Sequence, residues 1–299
     1  MDHVYQLPVY PQPNSPTAKT PITGQRRSPG GQVATTLATC AAMGLSTTYL
    51  GVFGSDDNGR RVREALAARG VDVGPALVRD APNRYAVILV DEHAGERVVL
   101  WQRDPRLVLR PQDVDAERIR SARLLHVDDM DLEASVEAAR IAREQGIPVT
   151  SDIEKTLEGV RALIDAVTVP IFAEHVPGAL TGEADMERAL EALRRPGHVM
   201  MCVTLGARGA ILLEGNTVHR EAGIAVKTVD TTGAGDVFRG AFIYALLRGD
   251  AARDILRFAN AAAALSCTRE GAIGGVPGVL EVEALLAATK HRGTEAPRT

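Results

Sequence analysis

Asp230-Thr231-Thr232-Gly233-Ala234-Gly235-Asp236-Val237-Phe238-Arg239-Gly240 puts two spaced glycines and a carboxylate where a helix is about to begin. Ahead of it, residues 223–229 mix β-branched and small side chains up to an acidic turn and are predicted to form a strand. Residues 237–247 that follow are apolar and long enough for a buried helix. The run is therefore expected at a strand-to-helix junction. The first turn of a helix leaves backbone N–H groups unpaired at the positive end of its dipole, and glycine lets an anion come close to them. Gly233, Ala234 and Gly235 fit such a cradle. A carboxylate repels phosphate, so Asp236 suits the base for an incoming hydroxyl better than a phosphate ligand. Taken as four residues alone, Gly-Ala-Gly-Asp also fits a tight turn with Asp236 capping a helix.

The whole chain narrows the chemistry. Its 299 residues, 45% of them hydrophobic, allow one large α/β domain with a sizeable core. A formal net charge of −4 and a pI near 6.0, with Lys and Arg scattered, argue against nucleic acid or an acidic membrane surface as partner. Cys40, Cys202 and Cys267 are odd in number and far apart. They imply buried thiols in a reducing, cytoplasmic setting rather than disulfides or a metal knuckle. No basic-then-apolar leader opens the sequence, and no apolar run has the length of a membrane span.

From residue 122 onward the pattern alternates. Residues 124–128 read as a strand, 132–144 as an amphipathic helix ending at Gly146, and 148–152 as the next strand. Further apolar runs at 166–172 and 199–205 bracket a helical segment at 185–194. The predicted fold class is α/β, a doubly wound and mostly parallel sheet flanked by helices. Ligands in such sheets gather at the carboxyl ends of the strands, which is where Asp152, Glu174, Thr204 and Asp230 fall. Residues 84–101 differ in texture: two apolar runs flank the turn 92–96, as in a β-hairpin. The Pro- and Thr-rich N-terminal stretch is expected to pair with it.

These motifs resemble the ribokinase-like (PfkB) carbohydrate kinases, whose second signature, Asp-Thr-x-Gly-Ala-Gly-Asp-x-Phe-x-x-Gly, is matched from Asp230 through Phe238, with its last glycine one position early at Gly240. The resemblance implies a single ribokinase-like domain over residues 1–299 that transfers the γ-phosphoryl group of ATP to a sugar hydroxyl, a phosphotransferase with an alcohol acceptor. Asp236 would be the catalytic base, and the residue 233–235 amides the anion hole. Segments at about 4–27 and 84–103 would form a small β-sheet lid over the sugar, although an ordinary edge hairpin would read the same. A lid excludes the water that competes for the phosphoryl group.

Gly30-Gly31-Gln32-Val33-Ala34-Thr35 resembles the family's first signature, with Thr35 where an Asn usually contacts the sugar. Thr keeps a hydroxyl but loses the paired donor and acceptor of an amide. Asp2 resembles the aspartate that grips two sugar hydroxyls; read alone, it is a terminal acid. Family members carry an apolar strand before it, so an interior strand is expected to be missing here. Arg103 joins Asp2, Gly30, Gly31, Gln32 and Thr35 as a substrate-side residue. By the same resemblance Thr204, Gly206, Gly209 and Asn260 face the nucleotide. Asp230, the Thr232 carbonyl and Gly271 would form a monovalent-cation (K+) loop. Magnesium needs a carboxylate. Residues 173–176 lack the Asn and the final Glu of the family's Asn-x-x-Glu, which leaves Glu174.

The loosened magnesium motif resembles the ketohexokinase and sulfofructose kinase-like branch, which makes a fructose-like ketose the first expected substrate and a homodimer through the lid the expected assembly. A nucleoside kinase and a non-catalytic sugar- or nucleotide-binding homologue are the alternatives. An NAD-dependent oxidoreductase is disfavoured, because residues 233–240 lack the Gly-x-Gly-x-x-Gly spacing of a βαβ unit.

Overall fold

The structure, a computed structural model, describes the chain except residues 94–96 and 295–299, and only the backbone of Arg97 and residues 290–294. In its first third, β1 (Asp2–Leu7), β2 (Gly24–Ser28), α1 (Gln32–Ala42), β3 (Thr47–Thr48) and β4 (Val52–Gly54) lead to α2 (Asp57–Ala68). The short strands β5 (Val71–Asp72) and β6 (Leu77–Arg79) precede a hairpin of β7 (Tyr85–Asp91) and β8 (Arg97–Gln102). Part of its predicted turn, residues 94–96, lies outside the described residues.

The second half alternates as its periodicity predicts. A short α3 (Ala116–Arg120) is followed by β9 (Leu125–Asp128), α4 (Leu132–Glu144), β10 (Val149–Asp152), α5 (Val160–Ala166) and β11 (Ile171–Ala173). Next come α6 (His175–Thr181), α7 (Met186–Leu193) and the strands β12 (Met200–Thr204), β13 (Ala210–Glu214) and β14 (Thr217–Glu221). Three helices close the chain: α8 (Ala234–Arg248), α9 (Ala252–Ser266) and α10 (Val279–Thr294).

Strands β9 and β10 pair in parallel, bridges from Thr150 to Val169 and Ile153 to Phe172 carry the order on to β11, and β11 pairs in parallel with β12. β13 and β14 then add antiparallel at the edge. This is the mostly parallel, helix-covered sheet that the alternating pattern predicts. The predicted strand at 166–172 is shorter than its apolar run, because Ala166 still closes α5 and only Ile171 to Ala173 enter the ladder. A separate four-stranded sheet has the order β2-β1-β7-β8, so the N-terminal stretch and the hairpin do share one sheet.

The strand expected just before the opening motif is absent. The last ladder residue is Glu221, and residues 223–229 run without sheet partners. Val229 and Asp230 donate their N–H groups to the Cys267 carbonyl at 2.7 and 3.2 Å, so the end of α9 holds this segment. α8 packs between α1 and α9, with Gly240 set so tightly on α1 that a Cβ there would lie 2.7 Å from the Thr36 carbonyl oxygen. Glycine is required by this close approach.

Between β9, which pairs only with β10, and β3, which pairs only with β5, lies a cavity of about 660 Å³. Cys40, Leu45, Thr47, Val127, Ala138 and Leu247 are among the residues that line its depth, and Asp2 and Gly30 its mouth. The side chains of Thr47 and His126 each turn a buried polar atom with no partner toward this region. The Met1 amino group, donating to the Arg84 carbonyl at 3.2 Å, is at the mouth as well. Protein interiors pack far more tightly than this.

Candidate active site

Gly233 is the N-cap of α8, in the left-handed region at φ 79°, which turns the chain into the helix, and the Ala234 N–H donates back to the Thr231 carbonyl at 3.3 Å. A Cβ at Gly233 would meet Ala272 Cβ at 2.6 Å and Thr35 Cγ2 at 3.4 Å. The cradle is thus walled by α1 on one side and by the loop after α9 on the other. Asp230 fixes this turn: its carboxylate accepts from Thr232 N at 3.0 Å, Gly271 N at 2.9 Å and Arg26 Nη2 at 2.6 Å. Those contacts hold its carboxyl below the usual range against the opposing effect of burial.

The substrate-side residues converge on the same place. Gly31 caps α1 at φ 128°, and a Cβ on Gly30 would lie 2.7 Å from Asp2 Oδ2, so the Asp2 carboxylate sits directly on the glycine pair. Asp2 belongs to β1, so it is not a loose terminal acid, and burial raises its proton affinity. Thr35 and Gln32 each carry a buried polar atom without a partner, Oγ1 and Nε2. Such atoms await a ligand or water. Arg103 is less available than expected, since it makes a two-pronged pair with Asp131 at 2.7 and 2.6 Å and also donates to the Leu107 carbonyl.

On the other flank, Thr204 ends β12 and donates to the Phe172 carbonyl at 3.3 Å. Gly206 and Gly209 form the following turn at φ 57° and 95°, and Gly209 packs against the Glu221 carbonyl at the end of β14. Asn260 donates to that carbonyl at 3.0 Å and to the Ala222 carbonyl at 3.3 Å, so its amide holds the strand end. A second cavity of about 190 Å³ opens beside it, lined by Ile224, Arg257 and Leu286 among others. Arg257 had no signal in a lone alanine-rich helix.

Glu174 follows β11, beside Thr204, and forms an exposed ion pair with Arg208. A half-exposed carboxylate with an exposed partner can exchange that partner for a hydrated divalent ion, so Glu174 fits magnesium. The K+ loop fits less well: Arg26 already supplies a positive charge at Asp230, whose oxygens are taken by donors.

Asp236 lies in the first turn of α8. Its carboxyl and those of Asp152 and Glu154 have oxygens within 4.8 Å of one another. Arg239, fully buried, reaches Asp152 Oδ1 at 2.5 Å and Glu154 at 4.0 Å, so the protein itself balances this acidic cluster. Burial pushes the Asp236 carboxyl up to about 8, against the pull of the Arg239 guanidinium, and pushes Asp152 upward as well. Asp128 is raised to about 6 by burial. The one charged residue in the predicted apolar run of α8 was the sequence signal for this cluster, together with the acids ending β10.

A profile of the family described as pfkB family carbohydrate kinase matches residues 8–278. A fructokinase-2 of Solanum lycopersicum is 29% identical over 291 residues, 88% of this chain and 88% of that protein. An ATP-dependent ribose-1-phosphate kinase of Halopiger xanaduensis is 31% identical over 254 residues, 84% of each. The solved structure of an Arabidopsis thaliana ribokinase complexed with ribose and ATP superposes with a TM-score of 0.81 at 25% identity, covering 95% of both chains.

A carboxyl whose proton affinity is raised in the fold stabilises it fully below the unfolded value, near 3.8, and loses that contribution as pH rises through about 8. Asp236→Asn is therefore expected to raise Tm relative to the parent at pH 8–9, with the gap closing toward pH 4. Equal Tm values across that range would count against a raised proton affinity at Asp236. Gly235→Ala tests the cradle separately: a Cβ would fall 2.7 Å from Arg239 Nη1, so the variant should lose stability.

Proposed function

The chain belongs to the pfkB family of carbohydrate kinases, and from that premise we propose that it transfers the γ-phosphoryl group of ATP to a hydroxyl of a fructose-like ketose, with Asp236 as the general base. The observation that carries this reading is the meeting of Asp2, Gly30 and Thr35 on one side of Gly233 with Asp236 on the next turn. A sugar hydroxyl delivered from the Asp2 side would enter between the carboxylate and the amides.

The hydroxyl proton passes to an Asp236 oxygen as the oxygen attacks the γ-phosphorus, the bond to the bridging oxygen breaks, and ADP leaves. N–H groups of residues 233–235 stabilise charge on the transferring group. Magnesium, when it accompanies ATP, neutralises the phosphates, with Glu174 the carboxylate in position to hold it. Asp2 offers two acceptor oxygens to neighbouring sugar hydroxyls. The β2-β1-β7-β8 sheet closes over that face and keeps water out. Its edge strand β8 exposes Val99, Leu100 and Trp101, which supports a homodimer built through this sheet.

Among the described residues, no helix is long and apolar enough to cross a membrane. Fructose-like ketoses should stand out in an ATP-consumption assay over ketoses, aldoses, phosphosugars and nucleosides; turnover restricted to nucleosides or absent throughout would overturn the reading. Asp236→Asn should lower kcat by about 10²–10⁴ with ATP binding retained, and parent kcat should fall as pH drops below about 8, where Asp236 takes up a proton.

A further inference from the structure

Between Asp236 and Arg248, helix α8 carries one charged residue, Arg239, and it is among the largest side chains fully buried in the protein. Its guanidinium lies under the anion cradle, with Nη1 2.7 Å from where a Cβ on residue 235 would sit. From there it faces Asp152 and Glu154 at 2.5 and 4.0 Å, and those two carboxyls approach Asp236. Neither oxygen of Asp152 has hydrogen-bond geometry to a partner, so the contact with Arg239 is one of charge. A buried ion pair of this kind adds little stability compared with an apolar pair of similar volume. Its retention beside a reacting group calls for another role.

We propose that Arg239 is a positioning residue for proton transfer, holding Asp152 against Asp236 so that the pair binds one proton and Asp236 is the member left to receive the substrate's. The inference rests on the reading of Asp236 as the base. The groups facing the pair are Glu154 after β10, Asp128 and His126 on β9, Cys202 on β12 and Arg239 on α8 itself. Burial depresses His126 to about 3 and lifts Cys202 to about 12, so both are neutral at neutral pH. Among the described residues, Arg239 is the cation that faces the pair. Through it, two acids that repel each other stay close, as paired carboxylates with a shared proton do.

The test is the acid limb of kcat against pH in the full-length enzyme, with the sugar the assay identifies. Arg239→Met should move that limb to higher pH by about one unit, tenfold in the proton equilibrium, while KM for ATP stays within about twofold. Asp152→Asn should move it the other way, because Arg239 is then unshared and favours the Asp236 carboxylate. Arg239→Lys should restore the parent limb. A purely structural arginine would lower Tm in these variants and leave the limb fixed, which overturns the proposal. If Arg239→Met does not fold, Asp152→Asn decides alone: a downward shift supports the inference and an unmoved limb refutes it. Asp236→Asn separates the two readings. Turnover that survives in it removes the base assignment, whereas turnover lost there with an unmoved Asp152→Asn limb removes only the role of Arg239.

Discussion

The Asp230 carboxylate is the constraint on which the rest of the site depends. Through it, Thr232 in the turn, Gly271 in the loop after α9 and Arg26 on β2 meet on two oxygen atoms. The turn is thereby forced to present Gly233 in a left-handed conformation, which starts α8. Arg26 belongs to the four-stranded sheet, so the same carboxylate also links that sheet to the cradle. A loop so bound from three sides explains why the motif keeps its shape although no strand precedes it.

What could be read from the sequence was what is encoded locally. The helix after the motif, the β9-α4-β10 unit and the hairpin follow from period and turn residues within a dozen positions. Residues 223–229 have strand-like composition but no ladder, because pairing needs a free neighbouring edge and β14 already ends the sheet at Glu221. Composition cannot report that. Likewise Asn260 is assigned to the nucleotide by resemblance alone, whereas its amide donates to the carbonyls of Glu221 and Ala222, nearly forty residues away in sequence.

Candidate site residues divide along the same line. Gly30, Gly31, Gly233 and Gly235 stand out because a close approach or a positive φ admits little else, and that requirement is written into the motif itself. Arg103 and Glu174 were read from position or motif, and each turns out to have a charged partner, Asp131 and Arg208, that no local pattern names. Their accessibility differs accordingly. Arg103 is held by two hydrogen bonds to one carboxylate in a half-buried setting, a strong arrangement, while the exposed Glu174 pair contributes little and exchanges easily.

The acidic cluster shows how far the site departs from what stability alone would select. Three carboxyls crowd one guanidinium, and burial works against every charge among them. An apolar residue at position 239 would pack as well and avoid that cost. Yet an uncharged residue would leave Asp152 and Asp236 facing each other without the guanidinium whose pull opposes the upward push of burial on both. A base must be deprotonated when substrate arrives, and a cradle must be positive when phosphate does. Gly235 lies directly on the Arg239 guanidinium, so the proposed base and the proposed anion cradle share one buried positive charge, and on that reading the glycines and the aspartate of the opening motif meet over the arginine three residues further on.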